Sequence, residues 1–170
     1  MKNKLMPTIV LSSICIIVAL LLATVNYFTA PIIKEAQEAK VQATLSKVLK
    51  DGKNFVEIPL DSLPESVIKA YTEDGGGYVF QIEVKGYKPG LMIMCGVTNE
   101  GKISGCEVIE SNETMNVENS LGSKYVGKDL ESVKGKPEIV SSSTLTSEAY
   151  YSAVEAALSS FEILKNKEGK

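Results

Sequence analysis

The chain opens with a long uncharged and mostly apolar segment. No Asp, Glu, Lys or Arg lies between Lys4 and Lys34, and residues 9–23 are almost entirely aliphatic. A membrane core is spanned by about 20 apolar residues, and only a helix satisfies its own backbone there. We therefore predict an N-terminal transmembrane anchor over residues 1–32. A cleaved signal peptide is the alternative, although the apolar core of such a peptide is usually only about 7–15 residues long.

The charges that flank the apolar segment predict its orientation. Lys2 and Lys4 precede it, and the first acidic residue is Glu35. Basic flanks stay on the cytoplasmic side of a membrane. The pattern indicates a single-pass protein of the cell membrane with a cytoplasmic N-terminus and an extracytoplasmic domain.

A second helix is predicted directly after the anchor, over residues 33–50. This segment is rich in helix-forming residues. Its apolar positions, which recur at helical spacing, are Val41, Leu45, Val48 and Leu49. We expect a stalk helix that packs one face against a folded domain formed by residues 51–170.

The domain itself shows the short alternating segments of an antiparallel sheet. Strands are predicted over residues 66–72, 77–85, 91–98 and 102–110, joined as a meander by turn-forming residues. In the second strand, Phe80, Ile82 and Val84 occupy one face and Val79, Gln81 and Glu83 the other, which predicts a half-buried strand.

The remaining elements of the domain are helical. Residues 116–125 form a short helix or an irregular segment, and residues 147–165 a longer helix with Thr146 or Ser147 as its cap. The fold class is therefore α+β, with an N-terminal transmembrane helix and a stalk helix before a small antiparallel-sheet domain that ends in a C-terminal helix.

Two of the 3 cysteines flank a predicted hairpin turn. If Glu100 and Gly101 form a two-residue loop, Cys95 and Cys106 face each other across the strands. A cross-strand disulfide is then geometrically possible on an oxidising face. Two small buried thiols are the alternative, and a shift of one residue in register would place them on opposite faces.

Composition excludes several classes of function. The chain has 18 basic and 21 acidic residues with no Lys/Arg cluster, so no nucleic-acid partner is predicted. It has no His, which removes Ser-His-Asp and Cys-His catalysis and most zinc sites. We therefore predict no catalytic residue and no metal ligand, and expect any chemistry to come from a bound cofactor.

A run of hydroxyl-bearing residues precedes the C-terminal helix. Residues 141–144 and 146–147 are all Ser or Thr. A helix N-terminus offers free N–H groups and partial positive charge, and hydroxyls add further donors. The run thus suggests a phosphate-bearing ligand, with an ordinary capped Ser/Thr loop as the alternative.

Motifs along the whole chain resemble the FMN-binding G subunit of Rnf ion-translocating electron transport complexes, and the similar C subunit of the sodium-pumping NADH:quinone reductase. Residues 26–33 match that family's N-x-x-T-x-P-x-I, and residues 86–90 its G-Y-x-x-G. Residues 99–103 resemble the D-G-K-I turn and residues 111–118 the H-x-E-T-P-G-L-G segment. Residues 138–147 align without gaps to the flavinylation motif D-x-x-S-G-A-T-x-T-S.

The resemblance implies a cofactor and its site. FMN would be joined by a flavin transferase, through a phosphoester, to Thr144. The phosphate and ribityl chain would lie among the residues on either side of it, and two further residues would approach from the strand side. These implied contacts are Ser141, Ser142, Ser143, Leu145 and Thr146, and on the strand side Glu113 and Thr114.

The resemblance also implies a function and partners. A membrane-anchored flavoprotein of this kind relays electrons within an ion-translocating oxidoreductase complex, and its partners are the other membrane subunits, the flavin transferase and the lipid bilayer. The sequence departs from the family where Ser142 and Ser143 replace Gly and Ala, Glu138 replaces Asp, and residues 115–118 replace Pro-Gly-Leu-Gly. A tethered structural or binding module of the same fold, without flavin, is therefore the alternative.

Overall fold

The computed structural model describes residues 2–49, 52–113 and 117–168. The chain divides into two compact units, Met1–Lys40 and Val41–Lys170. The first unit is entirely helical where it is described, and belongs to α1 (Lys2–Val48). Its most apolar stretch contains no buried side chain, and by length and composition α1 is able to cross a membrane.

Helix α1 continues through Pro31. A proline removes one backbone hydrogen bond from a helix, at a cost of about 3 kcal/mol. Ala30 precedes it and Ile32 and Ile33 follow, and no glycine lies nearby to end the helix. The predicted anchor and stalk helices are thus parts of one element.

The sheet of the second unit is a five-stranded antiparallel meander with its strands in chain order. The four predicted strands are confirmed, and an additional short strand at the edge was not predicted. The strands are β1 (Val56–Ile58), β2 (Val67–Thr72), β3 (Tyr78–Val84), β4 (Leu91–Val97) and β5 (Ile103–Glu110).

Within the described residues, three helices follow the sheet: α2 (Glu118–Tyr125), α3 (Leu130–Val133) and α4 (Thr144–Glu168). Helix α3 was not predicted, although Asp129 caps it by accepting a 2.9 Å hydrogen bond from the Ser132 N–H. The predicted C-terminal helix is confirmed as α4, but it begins at Thr144. Thr146 and Ser147 therefore lie inside its first turn, and the prediction that one of them caps the helix was wrong.

Both faces of the sheet are covered. One face packs against α2 and α4, with Phe80, Ile93 and Leu158 among the buried residues. The other face packs against the end of α1, where Leu45 and Val48 are fully buried in the second unit. The predicted packing of the stalk helix is confirmed, and together these layers give the predicted α+β fold.

The covered second face changes the environment of β3. Val79 is fully buried, and only 6% of Gln81 is exposed, so the prediction of a half-buried strand was wrong for this face. The Gln81 amide donates a 2.8 Å hydrogen bond to Met92 Sδ. Gln81, which the alternating pattern of β3 places on the solvent side, thus lies on the face that the end of α1 covers.

Two opposed glycines allow α1 to approach the sheet. Gly96 of β4 pairs with Gly105 of β5. A Cβ atom at Gly96 would lie 2.4 Å from the Val48 carbonyl oxygen, and one at Gly105 would lie 3.0 Å from it. The same oxygen accepts a hydrogen bond from the Ser104 hydroxyl. The absence of side chains at Gly96 and Gly105 therefore leaves room for the Val48 backbone, and the Ser104 hydroxyl supplies a hydrogen bond to its carbonyl oxygen.

The predicted register of the cysteine hairpin is confirmed, although the predicted turn was wrong. Cys95 lies opposite Cys106, and both remain free thiols. The loop has three residues, 99–101, with Gly101 in the left-handed region at φ 80°. An irregularity in β5 at Ser104, where the register shifts, offsets the longer loop and restores the pairing.

Candidate functional site

A cavity of about 480 Å³ opens where three segments of the second unit meet. The turn between β3 and β4, the end of β5 and the start of α4 each contribute to its walls. Its volume lies within the range of small-molecule sites. The lining residues are Tyr87, Glu113, Ser142, Ser143, Thr144, Leu145 and Thr146.

Ser147 fastens the segment that leads into α4. Its hydroxyl accepts a 3.1 Å hydrogen bond from the Val140 N–H and donates a 2.9 Å bond to the Ser143 carbonyl. The Ser143 N–H in turn donates to the Val140 carbonyl at 3.0 Å. Because Ser147 is fully buried and engaged in these bonds, its hydroxyl organises the loop and is not offered to the cavity.

Ser142 adopts a left-handed backbone conformation with φ 68°. This conformation costs an L-residue with a side chain about 1–2 kcal/mol, and glycine adopts it freely. The motif that residues 138–147 resemble has glycine at this position. The loop thus has the left-handed conformation that favours glycine at this position, although the residue is serine.

We expect Ser142→Gly to raise the free energy of unfolding by about 1 kcal/mol, because it removes the strain of the left-handed conformation. Denaturant titration of the full chain in detergent, followed by near-ultraviolet circular dichroism, measures the change. Ser141→Gly is the matched control, since Ser141 has no positive φ and glycine there adds only unfolded-state freedom. A lower stability of Ser142→Gly than of the parent chain would contradict this account.

The Glu113 carboxylate joins the three walls of the cavity. One oxygen accepts a 3.0 Å hydrogen bond from the Lys88 backbone N–H, and the other accepts a 2.6 Å bond from the Thr146 hydroxyl. Thr146 is only 3% exposed, so the second bond is shielded from water. We call this arrangement the Glu113 clamp, and it places the first turn of α4 beside the β3–β4 turn.

A buried carboxylate lies behind the clamp. The Glu113 N–H donates to Ser111 Oγ at 3.1 Å, and the Ser111 hydroxyl donates to Glu118 Oε1 at 2.6 Å. Glu118 is 1% exposed, and its Oε2 has no hydrogen-bond partner among the described residues. Ser111 therefore links the position of Glu113 to a carboxylate at the start of α2.

Ser111→Ala is expected to lower the free energy of unfolding by about 1–3 kcal/mol, because it deprives a buried carboxylate of a hydrogen bond. Denaturant titration of the purified chain checks this. The control is Ser123→Ala in the same region, where an exposed hydroxyl bonds only to the Ser120 carbonyl. Equal stabilities of the two variants would show that the Ser111–Glu118 bond contributes nothing.

Glu138 and Lys128 hold the start of the α4 loop. Lys128 Nζ lies 2.6 Å from Glu138 Oε1, and this hydrogen bond holds the pKa of the Glu138 carboxyl below its usual value. The Glu138 N–H donates to the Tyr125 hydroxyl at 3.0 Å. Glu138 is thus a structural anchor for the segment that leads into α4.

The predicted site residues largely converge in the structure. Six of them line the cavity: Glu113, Ser142, Ser143, Thr144, Leu145 and Thr146. Ser141 lies in the preceding turn and does not line it. Thr114 lies outside the described residues. Sequence reasoning omitted Tyr87 from the site, although it stands in the G-Y-x-x-G turn quoted for the resemblance.

The chemistry of the walls fits a ligand with an anionic end and a flat apolar body. The hydroxyl-bearing residues Ser142, Ser143 and Thr144 line the side where α4 begins, and the helix N-terminus favours negative charge there. Tyr87 and Leu145, the large apolar residues of the lining, are both exposed and so are accessible to a ligand. These are the two kinds of contact that a flavin mononucleotide requires.

Comparison with known proteins gives two matches. Residues 86–159 match the family described as FMN-binding domain, and this range contains all seven lining residues of the cavity. The chain is also 26% identical, over 191 aligned positions, to the G subunit of the Na(+)-translocating ferredoxin:NAD(+) oxidoreductase complex of Acetobacterium woodii. That alignment covers 92% of this chain and 90% of the relative. The resemblance that the motifs predicted is confirmed.

Proposed function

We propose that this chain, which is similar to the G subunit of an Rnf complex, binds FMN, carries it covalently on Thr144, and relays electrons as a subunit of a membrane-bound, ion-translocating oxidoreductase complex. One observation carries the proposal. Thr144, an exposed hydroxyl-bearing residue, lines the cavity at the start of α4, inside the segment that matches the FMN-binding domain family. The other walls supply polar and apolar groups suited to the rest of the cofactor.

Each lining residue has a distinct role in this proposal. Thr144 Oγ would form the phosphoester by attacking the flavin phosphate of an activated (phosphoanhydride) flavin donor held by the transferase; the anhydride bond breaks, and the departing phosphate group takes the threonine proton. Ser142 and Ser143 offer hydroxyl groups to the phosphate and ribityl chain, while Tyr87 and Leu145 cover the ring system and exclude water from it. FMN, when bound, supplies the capacity to accept and pass on electrons.

The Glu113 carboxylate is bonded to the protein on both oxygens. It accepts hydrogen bonds from the Lys88 N–H and the Thr146 hydroxyl, which direct it toward the two neighbouring walls. We assign Glu113 to positioning: it holds the first turn of α4 in place, so that Thr144 faces the cavity.

The proposed location follows from the N-terminal helix. The candidate membrane span and the similarity to a membrane-complex subunit support a single-pass membrane protein. Lys2 and Lys4 favour a cytoplasmic N-terminus, which puts residues 51–170 on the extracytoplasmic side. A covalent link would keep the cofactor from being lost there. Other membrane subunits would exchange electrons with it, and a flavin transferase would attach it.

The direct test is to express the full chain with and without a flavin transferase. The denatured protein is examined by in-gel flavin fluorescence and by intact mass. A fluorescent band whose mass is increased by one FMN phosphoester, present only with the transferase, is the expected result. An unmodified, dark band in both cultures would overturn the covalent assignment.

The second candidate function is that of a protein with the same fold that binds no flavin. The observation that favours it is the pair Ser142 and Ser143 in place of the family's Gly and Ala, with Ser142 in a conformation that suits glycine. In that case the chain is a membrane-tethered binding or structural module. The double variant Ser142→Gly/Ser143→Ala separates the two functions: it would restore fluorescence to a dark parent protein only if these substitutions had abolished attachment.

A further inference from the structure

Two thiols meet inside the domain, away from the residues that line the cavity. Cys95 of β4 is directly opposite Cys106 of β5, and the Cys106 thiol donates to Cys95 Sγ at 2.9 Å. Cys95 is fully buried and Cys106 is partly buried. We propose that these residues form an intrachain cross-strand disulfide, a modification that needs no flavin and is independent of the function proposed above.

The backbone already has the geometry that such a bond requires. Directly opposed residues of an antiparallel pair have Cα atoms about 4.5–5.5 Å apart, within the range of about 4.4–6.8 Å seen across disulfides. The three-residue loop and the irregularity at Ser104 fix the register, so the two side chains share one face of the sheet. Bond formation therefore requires side-chain adjustment and no change in strand pairing.

The surroundings favour the oxidised pair over two separate thiols. Cys95 and Cys106 pack with apolar residues between the sheet and α4, together with Tyr150. The Tyr150 hydroxyl is buried without a geometrically acceptable hydrogen bond among the described residues. In the reduced pair the Cys106 S–H donates to Cys95 Sγ, and the Cys95 S–H is a second, weak donor in apolar surroundings, whereas a disulfide has no S–H donor to satisfy.

The same burial controls how the bond forms. Burial, together with the adjacent Cys95, raises the pKa of the Cys106 thiol well above its ordinary value. Because the thiolate is the attacking species, exchange in the folded domain is slow. We therefore place oxidation at the stage when β4 and β5 pair during folding, before α4 closes over them.

The reaction is a thiol–disulfide exchange with a small disulfide as the oxidant. The thiolate of Cys106, the more exposed residue, attacks the reagent disulfide and releases one reagent thiol. The thiolate of Cys95 then attacks the mixed disulfide and releases the second. Two protein thiols become one disulfide, and the reagent disulfide becomes two thiols that carry away both protons.

The test uses the full chain in detergent, expressed without flavin transferase and carrying Cys15→Ser to remove the third thiol. The protein is unfolded, refolded with oxidised and reduced glutathione, and alkylated with a maleimide under denaturing conditions. We expect no label without a reductant and two labels after reduction. The oxidised form should also melt about 5–10 °C higher than the reduced form.

Two controls define the result. Cys106→Ser in the same background should take up one label with or without reductant, after any glutathione adduct has been excluded by mass. Its melting temperature should not respond to the reductant. Two labels on the refolded parent chain without reductant, or disulfide-linked dimers, would overturn the proposal. None of these results depends on flavin, so they test the disulfide independently of the proposed function.

Discussion

Replacing Thr144 by valine is expected to abolish covalent flavin while the fold survives. Valine keeps the branched shape of threonine but has no hydroxyl to form the phosphoester. The side chain is exposed at the first residue of α4, so the change disturbs no packed core. The chain is co-expressed with a flavin transferase, and in-gel fluorescence and intact mass report the flavin, while circular dichroism reports the fold.

Two matched variants bracket the Thr144 result. Thr144→Ser keeps a hydroxyl at the same position and should retain some covalent flavin. Thr146→Val removes the neighbouring hydroxyl, which is bonded to Glu113, and should reduce the extent of covalent attachment without abolishing it, because the clamp is weakened while the Thr144 hydroxyl remains. A fluorescent band in Thr144→Val, or a mass shift mapped to another hydroxyl, would contradict the assignment of Thr144.

Gly96→Ala is expected to be among the most destabilising single-methyl additions in the domain. The new Cβ would lie 2.4 Å from the Val48 carbonyl oxygen and 2.8 Å from its carbonyl carbon. Backbone atoms cannot rotate away, so the end of α1 must shift and uncover the apolar residues beneath it. Overpacking of this kind costs about 3 kcal/mol. Denaturant titration of the full chain in detergent measures the loss.

Gly105→Ala provides the comparison for Gly96→Ala. Its Cβ would lie 3.0 Å from the same Val48 oxygen, so a displacement of a few tenths of an ångström relieves the contact. We expect a loss of about 1 kcal/mol, smaller than for Gly96. If both variants were as stable as the parent chain, the close approach of Val48 to the sheet would not exist in solution.

Much of the fold could be predicted from the sequence because its signals are local. Strands β2 to β5 show short alternating segments separated by Gly-rich turns, and α4 shows apolar spacing over many residues. The register of Cys95 and Cys106 was predicted correctly from an incorrect turn, since the irregularity at Ser104 compensates for the longer loop. The agreement arose because two unpredicted features, the third loop residue and the irregularity in β5, shift the register in opposite directions.

The features that could not be predicted depend on contacts between distant segments. The burial of Gln81 requires the end of α1 to cover the second sheet face, which no pattern within β3 indicates. Strand β1 has three residues and is defined by its pairing with β2 rather than by its own composition. Short elements of this kind take their structure from their neighbours.

The candidate site divides in the same way. Residues 142–146 were found because they adjoin one another in a motif. Tyr87 was omitted because nothing in its own turn shows that α4 begins beside it. The motif also gave no sign that Ser147 is turned inward to bind the loop, or that Thr146 serves Glu113 rather than the cavity alone.

The Glu113 clamp also bears on when the cavity can form during synthesis of the chain. Its two hydrogen bonds join residues that are 25 and 33 positions apart in the chain, and the last of them, Thr146, lies in the final helix. A nascent chain in which α4 has not yet been synthesised lacks one wall of the cavity. If the proposed function and topology hold, cofactor attachment would follow synthesis and export of the whole domain, and an enzyme that recognises the closed cavity would modify only folded molecules.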